Sequence, residues 1–247
     1  MEVHAHTHTP RKKWTHYFWE FLMLFLAVFA GFLAENQREH YVEHKREKQF
    51  VQSLFNDIKS DTTNLARIIF SRTAKEQALD SLSHMMNSPS SVNFTKQIYF
   101  YAVGISRTLP YRFIPNDGTI QQLKNSGALR LIRKRSVVDS IAKYDVNVRN
   151  LVGQGTVEEN LTEYYRTAAT KIFDALIFDQ IIDENVVASI PAGNPVLQPY
   201  TKRELYEWNY RLFSLKAINR ANRRDGRSLL QQGINLLNIL NKEYHIE

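Results

Sequence analysis

The longest apolar run in the chain lies near the N-terminus. Tyr17 to Ala34 reads YFWEFLMLFLAVFAGFLA, with one ionisable residue, Glu20. At about 1.5 Å per residue, a helix over this run is roughly 27 Å long, close to the thickness of a hydrocarbon core. Phe21 to Ala34 shows no polar alternation, unlike a helix that covers a soluble core. Trp14, Tyr17 and Trp19 stand where an interfacial aromatic belt belongs, and Arg11, Lys12 and Lys13 come just before. The pattern predicts a transmembrane helix at 17–34 behind a short polar, His-rich tail at 1–16. A cleaved signal peptide, with Val28-Phe29-Ala30 ahead of the cut, fits the same run. Helical pattern continues for about fifty residues past Ala34 without a breaker, which favours an uncleaved anchor. Glu20 lies about one turn inside the expected interface, a depth from which a carboxylate snorkels to the headgroups. His16 is one turn away, so a proton relay through the pair is the alternative.

Glu35 to Gln49 interleaves acids and bases without Gly or Pro, the pattern of an exposed helix. From Val51 an apolar stripe follows with spacings of three and four: Val51, Phe55, Ile58, Leu65 and Ile69, with Thr62 in one polar slot. It fades and resumes at Leu79 and Leu82. One long helix over 35–86 is expected, facing a core or pairing with a partner helix as in a coiled coil. NSPSS at 87–91 reads as a loop. Asn93 to Leu109 reads as a helix with Ile98, Tyr101, Ala102 and Ile105 on one face, ended by Pro110 and Pro115. A short helix over 119–125 stops at Gly127, and Leu129 to Arg135 follows. Val137, Ile141, Tyr144, Val148 and Leu151 form the next stripe. It is interrupted at Gly153 to Gly155 and resumes through Leu161, Tyr165, Ala168, Ile172 and Ala175. The proline-rich stretch 190–199 is a loop. Thr201-Lys202-Arg203-Glu204 is a capping-box pattern for a helix to about Arg224, broken at Asp225-Gly226. Leu229, Leu230, Ile234, Leu237 and Leu240 form a final helix. The expected fold is all-α. The anchor runs into the long helix, and residues 87–247 pack on it as a bundle of four to six helices.

Composition agrees with that picture. Nine Gly and seven Pro are too few for many turn-rich β folds. The absence of Cys excludes disulfides, thiolate metal ligands, a cysteine nucleophile and a lipidated cysteine anchor. A formal charge of +7, spread along the chain, permits contact with anionic lipid or polymer without selecting one. Arg11, Lys12 and Lys13 are tightly bunched at the membrane edge with no acidic neighbours, whereas Arg38, Lys45, Arg46 and Lys48 alternate with acids. The positive-inside count, three against four, does not decide the orientation; the bunching of the N-terminal three favours a cytoplasmic N-terminus with the C-terminal domain outside the cytoplasm.

Three groups of residues carry candidate chemistry. His40-Tyr41-Val42-Glu43-His44 matches the H-x-x-E-H pattern, in which two His at i and i+4 share a metal. Zinc hydrolysis also needs a third ligand and a walled cavity, and here the motif stands in a run of solvated charges. Arg130, Arg133, Lys134 and Arg135 form one basic cluster; Arg220, Arg223, Arg224 and Arg227 form another. Together they would grip phosphate or an anionic polymer, and separately each is a solvated face. Neither has the aromatic interleaving that single-stranded nucleic acid requires, so a nucleic-acid partner is not expected. Gly153-Gln154-Gly155 lacks the GK[ST] of a phosphate loop. No cofactor is implied.

The run from Lys13 to Phe50, KWTHYFWEFLMLFLAVFAGFLAENQREHYVEHKREKQF, followed by SLFNDIKSDT (Ser53 to Thr62), resembles a group of uncharacterised bacterial proteins with one N-terminal anchor and a helical domain. TIQQLKNSGALRLIRKRSVVDSIAKY (Thr119 to Tyr144) resembles a stretch that recurs in them. The likeness does not extend usefully beyond Tyr144. It implies a cell-envelope location and this architecture, and it brings no activity with it; the anchor is expected in the inner membrane. The expected role is a non-enzymatic interaction or scaffold protein, with a lipid bilayer and a protein partner or second copy as its contacts. An extracytoplasmic ligand-binding sensor that signals through a partner is the first alternative, and a metal hydrolase using His40, Glu43 and His44 the second.

Overall fold

The computed structural model describes residues 13–108, 111–182, 189–191 and 193–246. Among these there are six α-helices: α1 (Trp14–Met86), α2 (Thr95–Ile105), α3 (Gly118–Asn125), α4 (Arg135–Ala169), α5 (Ala175–Ile181) and α6 (Lys202–Tyr244). Short 3₁₀ turns occupy Ser91–Phe94 and Ala128–Leu131. The chain divides into two compact units, Met1–Gln49 and Phe50–Glu247. Residues 1–12 of the His-rich tail lie outside the described residues, as does Pro110, while Trp14, Thr15 and His16, expected in that tail, already belong to α1.

In the first unit the apolar run is helical and its side chains are uncovered. Phe21, Met23, Leu24, Val28 and Phe32 are each about two-thirds exposed. The rings of Phe21, Phe25 and Phe29 stack one turn apart, at 6.3 and 5.9 Å between centroids. His16 Nε2 lies 2.9 Å from Glu20 Oε1.

The second unit packs the C-terminal part of α1 against α4 and α6. In all three helices the core-facing positions alternate by three and four. On α1 they are Val51, Leu54, Ile58, Asp61, Leu65, Ile68, Arg72, Lys75, Leu79, Leu82 and Met86. On α4 they are Val137, Ile141, Tyr144, Val148, Leu151, Gly155, Glu158, Thr162, Tyr165 and Ala169; on α6 they are Trp208, Leu212, Leu215, Asn219, Asn222, Gly226, Leu229, Gly233, Leu236 and Leu240. A sustained seven-residue repeat keeps one seam of each helix inward over many turns. The core falls into two apolar clusters. One gathers Leu54, Ile58, Ile141, Val148, Leu236 and Leu240, with Phe113, Ile120 and Leu123 from the α2–α4 connection. The other gathers Leu79, Leu82, Tyr165, Trp208 and Leu212, with Ile98, Tyr99 and Ala102 from α2. Between them the inward positions are polar: Arg72, Lys75, Glu158, Asn219 and Asn222.

Several sequence expectations change here. The α1 stripe does not fade after Ile68; two of its inward positions carry Arg72 and Lys75. Ile68, rather than Ile69, is its buried member. Gly153 and Gly155 do not interrupt α4, and Asp225-Gly226 does not break α6. An interior glycine costs a helix about 1 kcal/mol, less than the burial of one large apolar side chain supplies. Gly233 has a packing reason, since a Cβ there would come within 2.7 Å of Thr62 Cγ2. Helix α4 stops at Ala169, and α5 begins afresh, with Asp174 accepting from the Leu176 amide at 2.9 Å. On α2 the inward aromatic is Tyr99, not Tyr101. Its hydroxyl donates to the Val196 carbonyl and accepts from the Asp174 amide, both at 3.0 Å. The capping box at the head of α6 forms as read: the Glu204 amide donates to Thr201 Oγ1, and the Thr201 amide donates to the Glu204 carboxylate.

Candidate functional site

The most distinctive chemistry of the second unit is its buried charged layer. Glu158 on α4 accepts from Lys75 Nζ at 2.8 Å and Asn222 Nδ2 at 2.7 Å, and pairs with Arg72 Nη2 at 2.9 Å. Arg72 also donates to the Tyr111 carbonyl at 2.7 Å and to Asn219 Oδ1 at 3.2 Å; Asn219 Nδ2 donates back to the Arg72 carbonyl at 3.0 Å. The Lys75 ammonium stands 4.4 Å from the centre of the Tyr111 ring. All three charged side chains are almost fully covered. Two cations therefore face one carboxylate. Burial and this charge balance together set the two titration shifts. Burial alone would raise the Glu158 carboxyl, but Lys75 and Arg72 outweigh it and hold it below the ordinary range. Burial lowers the Lys75 ammonium, and Arg72 adds to the effect against the pull of Glu158.

The layer has no room for a substrate. The adjoining cavity, lined by Arg72, Tyr111, Arg112, Gly155, Asn222 and Gly226 among others, measures about 10 Å³, space for one water molecule. Its chemistry is that of alignment: a polar layer between apolar layers penalises any sliding of α1, α4 and α6 past one another. The sequence reading missed these residues. Their signal was the charge at 72 and 75, in phase with the stripe on either side.

A second buried polar group lies in the first core cluster. Asp61 Oδ1 accepts from the backbone and side-chain nitrogens of Asn116, both at 2.8 Å, and Tyr144 donates to Oδ2 at 3.3 Å. Burial raises the Asp61 carboxyl, against the lowering effect of these bonds.

The two basic clusters are not brought together. Lys134 pairs with Glu243 at the end of α6, at 3.0 Å, whereas Arg220 and Arg223 both reach Glu76, at 2.6 and 2.7 Å. Arg223 and Glu243 are twenty residues apart on one helix, about 30 Å. Arg224 is taken up by Asp225 at 2.7 Å, and Arg227 is exposed. Arg130, Arg133 and Arg135 rim a shallow depression floored by Leu129, Ile132 and Val138, with Asp139 among its walls. In the His40 motif each imidazole turns to its own acid: His40 Nδ1 lies 4.0 Å from Glu43, and His44 Nδ1 lies 3.2 Å from Glu47. No group of three or more metal-ligating side chains gathers among the described residues.

Along the outer seam of α4 and α6, polar side chains form cross-links. Asn147 Nδ2 donates to Gln232 Oε1 and Gln154 Nε2 to Asp225 Oδ2, each at 2.7 Å. Between them opens a basin of about 250 Å³ lined by Asn147, Asn150, Leu151, Gln154, Asp225, Ser228 and Gln232. Further along the seam, the Arg211 guanidinium lies 5.3 Å from the Tyr164 ring centre, and Lys171 meets Glu207 at 2.9 Å. Compared with known proteins, the chain matches no family, no curated protein and no solved structure.

Proposed function

We propose that the chain is a membrane-anchored, non-enzymatic interaction or scaffold protein of the bacterial cell envelope. Residues 17–34 cross the inner membrane once, with the N-terminus in the cytoplasm and the helical domain outside it. The observation that carries this reading is the uncovered apolar helix. Its best 18-residue window has a mean hydropathy of 1.9, and none of that window is buried. At about 1 kcal/mol for each half-exposed large apolar side chain, leaving the nine from Phe21 to Leu33 in water costs on the order of 10 kcal/mol, as much as a whole domain's stability. A bilayer removes that cost. Two further features support the reading: Trp14, Tyr17 and Trp19 at the head of the run, and the resemblance of Lys13 to Thr62 to single-anchor bacterial proteins. The scaffold role rests on the second unit. Its three long helices share a coiled-coil-like repeat with an alignment layer, a rigid framework, and its most buried charges have no space for a reactant beside them.

Reporter fusions after Phe50 and at the C-terminus, with the mass of the mature chain, test the placement. Both fusions should report from outside the cytoplasm, and the mass should be that of the full chain. A chain ending at a cut after Ala30 would make this a secreted helical protein, and cytoplasmic fusions would reverse the orientation.

A further inference from the structure

We infer that the basin between α4 and α6 is a binding site for a compact neutral polyol, a pyranose sugar unit. Its two ends are the Asn147–Gln232 and Gln154–Asp225 cross-links, seven residues apart on each helix and therefore about 10 Å apart. That span takes a single six-membered ring and stops an extended chain from lying through it. The volume, about 250 Å³, suits the same ligand.

Charge narrows the chemistry. The one ionised group in the lining is Asp225, whose carboxylate already receives Arg224 Nε at 2.7 Å, Arg224 Nη2 at 3.2 Å and Gln154 Nε2 at 2.7 Å. These bonds also hold its carboxyl below the ordinary range, so it stays an anion already paired with Arg224. Among the described residues no cation lines the basin, which disfavours a phosphate or carboxylate ligand. Asp225 is already neutralised, which disfavours an amine. What the lining offers instead is unsaturated neutral hydrogen bonding. Beyond its bond to Asp225, Gln154 Nε2 has a second hydrogen to give. The Asn150 carboxamide, exposed at the wall, makes no side-chain hydrogen bond to a described residue. Asn147 keeps its carbonyl, and the Ser228 hydroxyl, which accepts from Gln232 Nε2 at 3.1 Å, keeps its proton. Primary amides and a hydroxyl, each with both donor and acceptor capacity, match the paired hydroxyls of a sugar. Leu151 at the floor meets its C–H face.

This site does not depend on the membrane placement, and its test separates the two. The full-length chain, held in a detergent with no sugar headgroup, is titrated with glucose, galactose, mannose and N-acetylglucosamine by saturation-transfer NMR and calorimetry. At least one should bind saturably with a Kd on the order of 1 mM, the strength a few hydrogen bonds support. Asn150→Ala, at an exposed position, should weaken it about fivefold, the loss of one bond. Ser228→Leu, which fills the basin from an exposed helix position, should abolish it with the melting temperature unchanged. No saturable binding of any of the four up to about 50 mM, or binding that both variants leave intact, would overturn the assignment.

Discussion

Replacing Glu158 by Gln keeps the shape of the buried layer and removes its one negative charge. Arg72 and Lys75 then remain inside the protein without an anion, at positions 6% and 0% exposed. Breaking a buried ion pair from one side costs about 3–5 kcal/mol, because the stranded charge keeps its full desolvation penalty. At about 2–4 °C per kcal/mol for a domain of this size, the melting temperature should fall by on the order of 10 °C. Thermal and denaturant unfolding of the full chain in mild detergent, followed by circular dichroism, measure the shift and the free energy. The loss should shrink on acidification. Glu158 has its pKa lowered in the folded state, so its contribution is complete above the ordinary carboxyl value of 4.5 and disappears as pH falls through the depressed one. The triple change Arg72→Met, Lys75→Met, Glu158→Leu should be neutral or stabilising in energy while loosening the alignment of the helices. A Glu158→Gln cost under about 1 kcal/mol at neutral pH would show that the layer is wet or unpaired, and would refute the assignment.

Other residues give independent checks. Gly233→Ala drives a methyl into Thr62 and should cost about 1–3 kcal/mol, whereas Gly155→Ala, with nothing within 4 Å of the new Cβ, should gain about 0.5–1 kcal/mol; thermal melts of the two compare them directly. Asp61 has its pKa raised on folding, so wild-type stability is lost as pH rises from 3.8 through the raised value. Asp61→Asn should flatten that part of the curve, and parallel pH titrations of stability would show it. Thr201→Ala removes the α6 cap and should cost about 1 kcal/mol by denaturant midpoint.

Much of this fold was legible in the sequence. Helix α1 ends at Met86 as its pattern indicated, the Thr201 capping box starts α6, and Gly127 adopts the left-handed backbone expected of a helix stop, at φ 66°. What misled was local punctuation. Gly153, Gly155 and Gly226 read as breaks, but a helix with many inward apolar positions tolerates them, and of the three only Gly226 has a neighbour, Ile69, within 4 Å of an added Cβ. The charged layer was hidden for a related reason: Arg72 and Lys75 are ordinary surface residues by type, and only their phase in the repeat, with Glu158 some eighty residues away, shows that they are buried. The α4–α6 basin left no signal of its own, since Asn147, Asn150, Gln154 and Gln232 come together only once the two helices pack antiparallel.

The central claim is that the uncovered helix crosses a membrane and leaves the helical domain outside the cytoplasm. Because the chain has no Cys, a single substitution Asn235→Cys, at an exposed position on α6, gives a clean probe. Intact spheroplasts are treated with a membrane-impermeant maleimide, and the labelled protein is weighed. This account expects labelling without lysis, on a membrane-bound chain of full mass. Labelling only after lysis, or a labelled chain that lacks its first thirty residues, would contradict it.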